Sequence, residues 1–298
     1  MRNNYTGLFT ALMFAMFAGF ISAGEPVKIK ETKFPAKSGE MLSVNISGGD
    51  INVTSWDKDE VEVIIKGSET AAKKISFEIE KTSEGIKVES SRTGGGFWNL
   101  FNSLNFRVII KTPAKYNMKL KTSGGDVEVK KIEGNTEVYT SGGDVVVYGG
   151  KGNGTFKTSG GDVSVTDFYG TAIISTSGGD IIFNGKNGDV NASTSGGDIL
   201  ITGADSKIKA ETSGGDIRLV YKGENKGIHL STTGGDIFAD FDDDINAYID
   251  ASTSGGDVEN NNSKFRADKI TSSSIKGSLN NGGENIRLKT SGGDITIQ

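Results

Sequence analysis

The stretch Thr140-Ser141-Gly142-Gly143-Asp144 returns at Thr158–Asp162, Thr176–Asp180, Thr194–Asp198 and Thr212–Asp216. Its aspartate falls at positions 126, 144, 162, 180, 198 and 216, a constant step of 18. Further copies end at Asp236, Asp257 and Asp294, and an early one at Asp50. Self-similarity at a fixed period of this size marks a solenoid or a related array. The gap from Asp50 to Asp126 leaves room for about four weaker coils at this period, and that from Asp257 to Asp294 for about two. A degenerate copy near Thr271–Ser278 would fill the second gap.

One period reads as strands and corners. Val127/Val129, Val145/Val147, Val163/Val165, Ile181/Phe183, Ile199/Ile201 and Ile217/Leu219 are spaced by two. So are Val138/Thr140, Phe156/Thr158, Ile174/Thr176, Ala192/Thr194, Ala210/Thr212 and Leu230/Thr232. Spacing of two is strand periodicity, because successive side chains point to opposite faces. A second glycine column, Gly134, Gly152, Gly170 and Gly188, precedes each motif aspartate by ten residues. Every copy has the same polarity, so coils stacked in register place like on like, as in a parallel β-helix. At this period the chain supplies roughly 14 to 15 coils, a rod ~70 Å long at ~4.8 Å per layer.

The motif itself is first a folding device. Paired glycines are expected to supply positive φ at a corner. The flanking serine and aspartate can bond local backbone. Thr140, Thr158, Thr176, Thr194 and Thr212 face inward by parity and should form a buried hydroxyl ladder. Gly142, Gly143 and Asp144, with Asp162, Asp180, Asp198 and Asp216, complete the structural repeat. Proline would delete a ladder hydrogen bond, and Pro26, Pro35 and Pro113 all precede the regular array.

Composition bounds the rest. The chain has 298 residues, 43 glycines, 3 prolines and no cysteine. Arg2 followed by an apolar run to about Ile21 and by Ser22-Ala23-Gly24 reads as a signal peptide over residues 1–23. The product is then extracytoplasmic: periplasmic, surface-held or secreted. The net charge of −5 and the lack of a long basic run disfavour nucleic acid. Residues 24–120 read as an irregular N-terminal section and cap, with an aromatic insert near 94–106. Residues 121–298 read as the regular repeat. No segment after residue 23 is long and apolar enough for a membrane helix.

The TSGGD-V/I-x-V/I repeat resembles the bacterial "putative adhesin" family of GGD-repeat β-helix domains. So do Gly39–Val63, with Trp56 before an acidic patch and a strand, and Val108–Val129, with Pro113 between two strands. The resemblance spans roughly residues 38–298. It implies an all-β fold, a right-handed single-stranded parallel β-helix, at the surface or outside the cell. It implies no catalytic residues.

Candidate chemistry is sparse. The aspartate column could hold cations weakly along one edge. Neighbouring carboxylates ~4.8 Å apart repel by roughly 0.9 kcal/mol in water. Asp240, Asp242 and Asp244 alternate like the start of a calcium loop, but Ile245 and Ala251 stand where its glycine and glutamate belong. Phe97, Leu100, Phe101 and Leu104 form a helical stripe, and Phe97, Trp98 and Phe101 are the candidate contact for a partner. Val146, Ile182, Leu200 and Phe238 form an outer stripe that this segment could cover. His229 is the only histidine, which removes the usual zinc and Ser–His sites. The sequence stops at Ile295-Thr296-Ile297-Gln298 on a core strand. An unpaired coil there would need a cap or a second copy, hence end-to-end self-association. The reading is a non-enzymatic, adhesin-like binding or structural module whose partner is a surface protein or a glycan. The alternatives are a carbohydrate-active β-helix enzyme and a calcium-binding surface solenoid.

Overall fold

The computed structural model describes residues 26–92 and 105–298. The signal segment and Phe97, Trp98 and Phe101 lie outside them. All strands among the described residues belong to one hydrogen-bonded sheet.

The recurrence every 18 residues is the register of the ladder. Val145–Lys157 pairs in parallel with Val127–Glu133 on one side and Val163–Ser175 on the other. Val145 lies opposite Val127 and Val163. The column continues through Ile181, Ile199, Ile217 and Ile237. On a second face Val138, Phe156, Ile174, Ala192, Ala210 and Leu230 align in the same way. Both columns are fully buried in one continuous apolar core. Each inward β-branched residue thus packs on its own counterpart in the next layer. That suits residues whose χ1 is stiff and whose strand propensity is high.

Stacking order departs from chain order at both ends. Ile51 lies directly opposite Val127, so no coils stand between Asp50 and Asp126. Met41–Asn45 sits between Gly85–Arg92 and Asn117–Lys121, parallel to both. Asp50–Trp56 likewise sits between Phe106–Pro113 and Val127–Glu133. The intervening residues build a cap. Val27–Pro35 pairs antiparallel with Glu60–Gly67, which pairs antiparallel with Phe106–Pro113. Ile75–Lys81 pairs antiparallel with Gly85–Arg92. Phe106, at the edge of the expected aromatic insert, opens a strand and is buried.

The far end mirrors this. Ile295–Ile297 pairs in parallel with Ile237–Phe241 and also with Val258–Asn260. Asn285–Lys289 pairs with Ile228–Ser231 and with Ala247–Ser252. The last layer in sequence is therefore an interior layer, and the expectation of an unpaired edge at Ile295–Ile297 is overturned. Residues near 271–278 form an antiparallel hairpin, Phe265–Thr271 with Ser274–Leu279, rather than a degenerate coil. Its second strand pairs antiparallel with Ala247–Ser252 and covers that layer. End-to-end self-association through the C-terminal coil loses the premise it stood on.

The glycine column gives the full order of layers. Gly49, Gly125, Gly143, Gly161, Gly179, Gly197, Gly215, Gly235, Gly293 and Gly256 stack in that sequence. Ten motif layers span ~45 Å at the usual strand spacing, shorter than the rod expected from dividing chain length by period. The caps consume the difference.

The reason for the glycines also differs from expectation. Among the motif pairs only Gly48 and Gly49 have positive φ. In the regular array the second glycine is needed for space. A Cβ on Gly143 would stand 2.2 Å from the carbonyl oxygen of Gly125 one layer below, and the same clash recurs at 2.2 Å at Gly161 and 2.1 Å at Gly179. The first glycine of each pair meets no such obstacle: a Cβ on Gly142 finds nothing nearer than 3.8 Å.

Two outcomes test these points. Gly143→Ala should lower stability strongly, since the obstacle is rigid backbone. Gly142→Ala should be neutral or stabilise by up to about 1 kcal/mol through the unfolded state. Urea midpoints of the two variants read the difference. Removing residues 285–298 should deprotect amides of Ala247–Ser252 and Ser274–Leu279 in hydrogen exchange. Protection unchanged there would contradict the interior placement.

Candidate functional site

The repeated polar residues are spent on the seam between layers. Thr140 Oγ1 donates to the Gly125 carbonyl at 2.9 Å and accepts the Gly143 N–H at 3.4 Å. Thr158, Thr176, Thr194 and Thr212 repeat this donation to Gly143, Gly161, Gly179 and Gly197. Each threonine is buried, so its hydroxyl joins two backbone groups that water cannot reach. Each aspartate reaches to the next layer. Asp126 Oδ1 accepts the Asp144 N–H at 2.9 Å, and Asp144 accepts that of Asp162 at 2.8 Å. Asp162, Asp180 and Asp198 continue the chain to Asp180, Asp198 and Asp216. These hydrogen bonds to ionised acceptors offset the repulsion along the column. Burial, the largest cause, raises the Asp144 carboxyl above its ordinary range, aided by the charges of Asp126 and Asp162 and opposed by the Asp162 N–H.

Elsewhere, ionisable groups are held in structural clasps. In the N-terminal cap Glu62 lies opposite both Lys33 and Lys111 on neighbouring strands. Its two carboxylate oxygens each meet an ammonium at 2.9 Å. Hydrogen bonds from Lys33 and Lys111 hold its carboxyl at about 2. The Lys111 ammonium and that of Lys58 also lie 5.2 and 4.7 Å from the Trp56 ring. Tyr116 donates to Glu40 at 3.2 Å, and burial together with the Glu40 charge pushes its hydroxyl well above the usual range. The buried Tyr221 hydroxyl accepts the Ser206 N–H and lies 2.7 and 2.6 Å from the Ser206 and Glu224 carbonyls.

The candidate residues do not converge. Asp240 faces outward on Ile237–Phe241, beside Val220. Asp242 accepts the Gly223 N–H at 3.3 Å, whereas Asp244 is exposed and 3.7 Å from Lys264. No group of three or more metal-ligating side chains occurs among the described residues. His229 is half-buried between Lys209 and Arg287 of the adjoining layers, with Glu211 at 3.8 Å. Burial lowers its pKa, and the Glu211 carboxylate partly restores it. Val146, Ile182, Leu200 and Phe238 share one outward column with Ser164 and Arg218. The Arg218 guanidinium lies 4.2 Å from the Phe238 ring.

The described residues include one shallow concave feature. A shallow open depression of about 300 Å³ lies beside Asn45, Ile46, Lys121, Ser123, Tyr139 and Ser141. Sequence reasoning missed it. Its sole sequence signal is Ile46, which stands where the other motif copies carry threonine.

The family model for Toastrack DUF4097 matches residues 39–298. The chain belongs to the Toastrack DUF4097 family. The match covers every motif layer, the C-terminal cap and all of the N-terminal cap except Val27–Pro35. No curated protein matches. Solved structures to which the chain shows similarity include a putative adhesin from Bacteroides fragilis, at 12% identity, TM-score 0.46, with 93% of this chain and 98% of that one covered. A putative lipid binding protein from Parabacteroides distasonis gives 11% identity and TM-score 0.38, with 92% and 97% covered. A putative cell adhesion protein from Clostridium sporogenes gives 14% identity and TM-score 0.29, with 92% and 99% covered.

The Glu62 clasp gives this Toastrack chain a defined acid response. Because the folded carboxyl sits below its ordinary 4.5, its contribution is present above that value and is lost as pH falls toward about 2. Glu62→Gln should destabilise the protein at neutral pH and flatten stability against pH in that window. Urea unfolding across the acid range checks it; parallel curves for the two proteins would contradict the assignment.

Proposed function

We propose that this chain is a non-enzymatic, extracytoplasmic β-solenoid that binds or structures a surface, in the manner of an adhesin. Its coils are eighteen residues in the regular section and, by the usual sense of parallel crossovers, right-handed. Residues 1–23 direct export. The observation that carries the reading is a division of labour within each layer. Outside the layer of Ile46, threonine, the second glycine and aspartate are identical from layer to layer and are engaged with backbone. The outward columns vary from layer to layer, as in Val146, Ser164, Ile182, Leu200 and Arg218. A catalytic group is needed once, whereas these polar residues recur and are already bonded. What the rod offers to other molecules is a set of long, flat, individually patterned faces. Such surfaces suit an extended partner, a surface protein or a glycan chain, better than a small substrate.

The test is retention of residues 24–298 on glycan arrays and on cell surfaces, with calcium and with chelator. Selective retention that persists in chelator supports the reading. Retention that requires calcium moves the function to the aspartate edge. Release of new reducing ends from a polysaccharide would overturn it in favour of an enzyme.

A further inference from the structure

The depression on the N-terminal half of the rod lies where the repeat is broken. In the layer Met41–Trp56 the motif reads Ile46-Ser47-Gly48-Gly49-Asp50. Ile46 is buried and has no hydroxyl. Gly48 and Gly49 take φ of 151° and 80°, unlike the glycine pairs of the regular array. The Ser47 N–H turns to Ser90 Oγ at 2.9 Å. The corner of this one layer therefore leaves the common path, and the depression adjoins it.

The outward column that crosses the depression runs Glu89, Asn45, Lys121, Tyr139, Lys157, Ser175, a line fixed by strand register. It continues through Ser193, Glu211, Ser231, Lys289 and Ser252. Tyr139 is its one aromatic residue. The ring is half-buried, and the Lys121 ammonium lies 5.3 Å from its centroid. Lys157 occupies the same position one layer on, next to the depression rather than in its lining. Neither lysine forms an ion pair with another described residue, in a chain whose net charge is −5. Asn45, Ser123 and Ser141 place an amide and two exposed hydroxyls on the rim, and Ile46 lies buried beneath it.

We infer that this depression is a binding subsite for an acidic sugar unit, a carboxylate-bearing pyranose of a longer glycan. The half-exposed aromatic ring fits the hydrogen-bearing face of a sugar. Rim hydroxyls and an amide fit its hydroxyl groups. Two unneutralised ammonium groups fit a carboxylate, through hydrogen bonds stronger than those to a neutral sugar. The layers flanking Tyr139 are ~4.8 Å away on either side, which spaces the lysines to straddle one ring. The subsite deepens the surface-binding reading and rests on it for the glycan as ligand class.

The experiment titrates residues 24–298 with short oligogalacturonates and with uncharged glucose oligomers of equal length, by calorimetry at low and high salt. The acidic oligomer should bind, more weakly in high salt because exposed charges are screened. The neutral one should bind less. Tyr139→Ala should weaken binding about tenfold, as loss of a central aromatic contact does, and Tyr139→Phe should retain it. Lys121→Gln with Lys157→Gln should erase the preference for the acidic oligomer. Tyr148→Ala, an exposed tyrosine on another face, should change nothing. Absence of binding by the unaltered chain, or equal binding by Tyr139→Ala, overturns the subsite. If Tyr139→Ala shifts the melting temperature, the double lysine variant alone decides, and an unchanged preference overturns the subsite. Oligomer binding without surface retention would remove the adhesion reading and leave the subsite standing. Retention unchanged by variants that lose the oligomer would place adhesion on another face while supporting the subsite.

Discussion

Everything in this molecule depends on how closely one corner may approach the next. A strand ladder sets the spacing between layers along the flat faces. At the corner the chain must hold the same spacing while changing direction, and the carbonyl of the second motif glycine then points into the volume a Cβ would need. The Gly143 position, 2.2 Å from the Gly125 oxygen for an added Cβ, is one instance of a constraint repeated along the rod. Relieving it at one layer would pry apart the threonine bond and the aspartate bond made at the same corner. The three recurring elements of the motif act together: glycine permits the approach, threonine satisfies the buried carbonyl that results, and aspartate ties down the next N–H. A buried carbonyl left without its donor would cost about 1–3 kcal/mol, so the threonine is as much a consequence of the close approach as the glycine.

The regular section was legible in the sequence because a side-chain period of two and a motif period of eighteen together fix both the face and the layer of a residue. Inward placement of Thr140 follows from its parity with Val138, and its burial agrees with that parity. The ends were not legible. A repeat says which segments are alike, not which are neighbours. The spacing between Asp50 and Asp126 was compatible with intervening coils, and only pairing of Ile51 with Val127 shows that there are none. The hairpin Phe265–Thr271/Ser274–Leu279 turns through Ser272-Ser273, without the Asn-Gly or Gly pair that signals such a turn. The reason for the motif glycines was misread for a related cause. Positive φ is a local property and can be argued from sequence, whereas the observed clash lies with a residue a whole layer away.

The same distinction governs candidate chemistry. Asp240, Asp242 and Asp244 attract notice by proximity along the chain, and their side chains diverge. Lys33, Glu62 and Lys111 are far apart in sequence and meet because antiparallel pairing sets them side by side. The depression at Tyr139 belongs to the second kind. It becomes visible once the column of outward residues can be read across layers, and its distinguishing mark is one departure from the repeat.

The stacking order has a consequence for biogenesis. Ribosomes deliver a chain from its N-terminal end. The layer contributed by residues 285–297 lies beneath the layer of residues 247–260, yet it emerges after it. Residues 247–279 must therefore wait, with a hydrogen-bonding edge open, until their seat arrives.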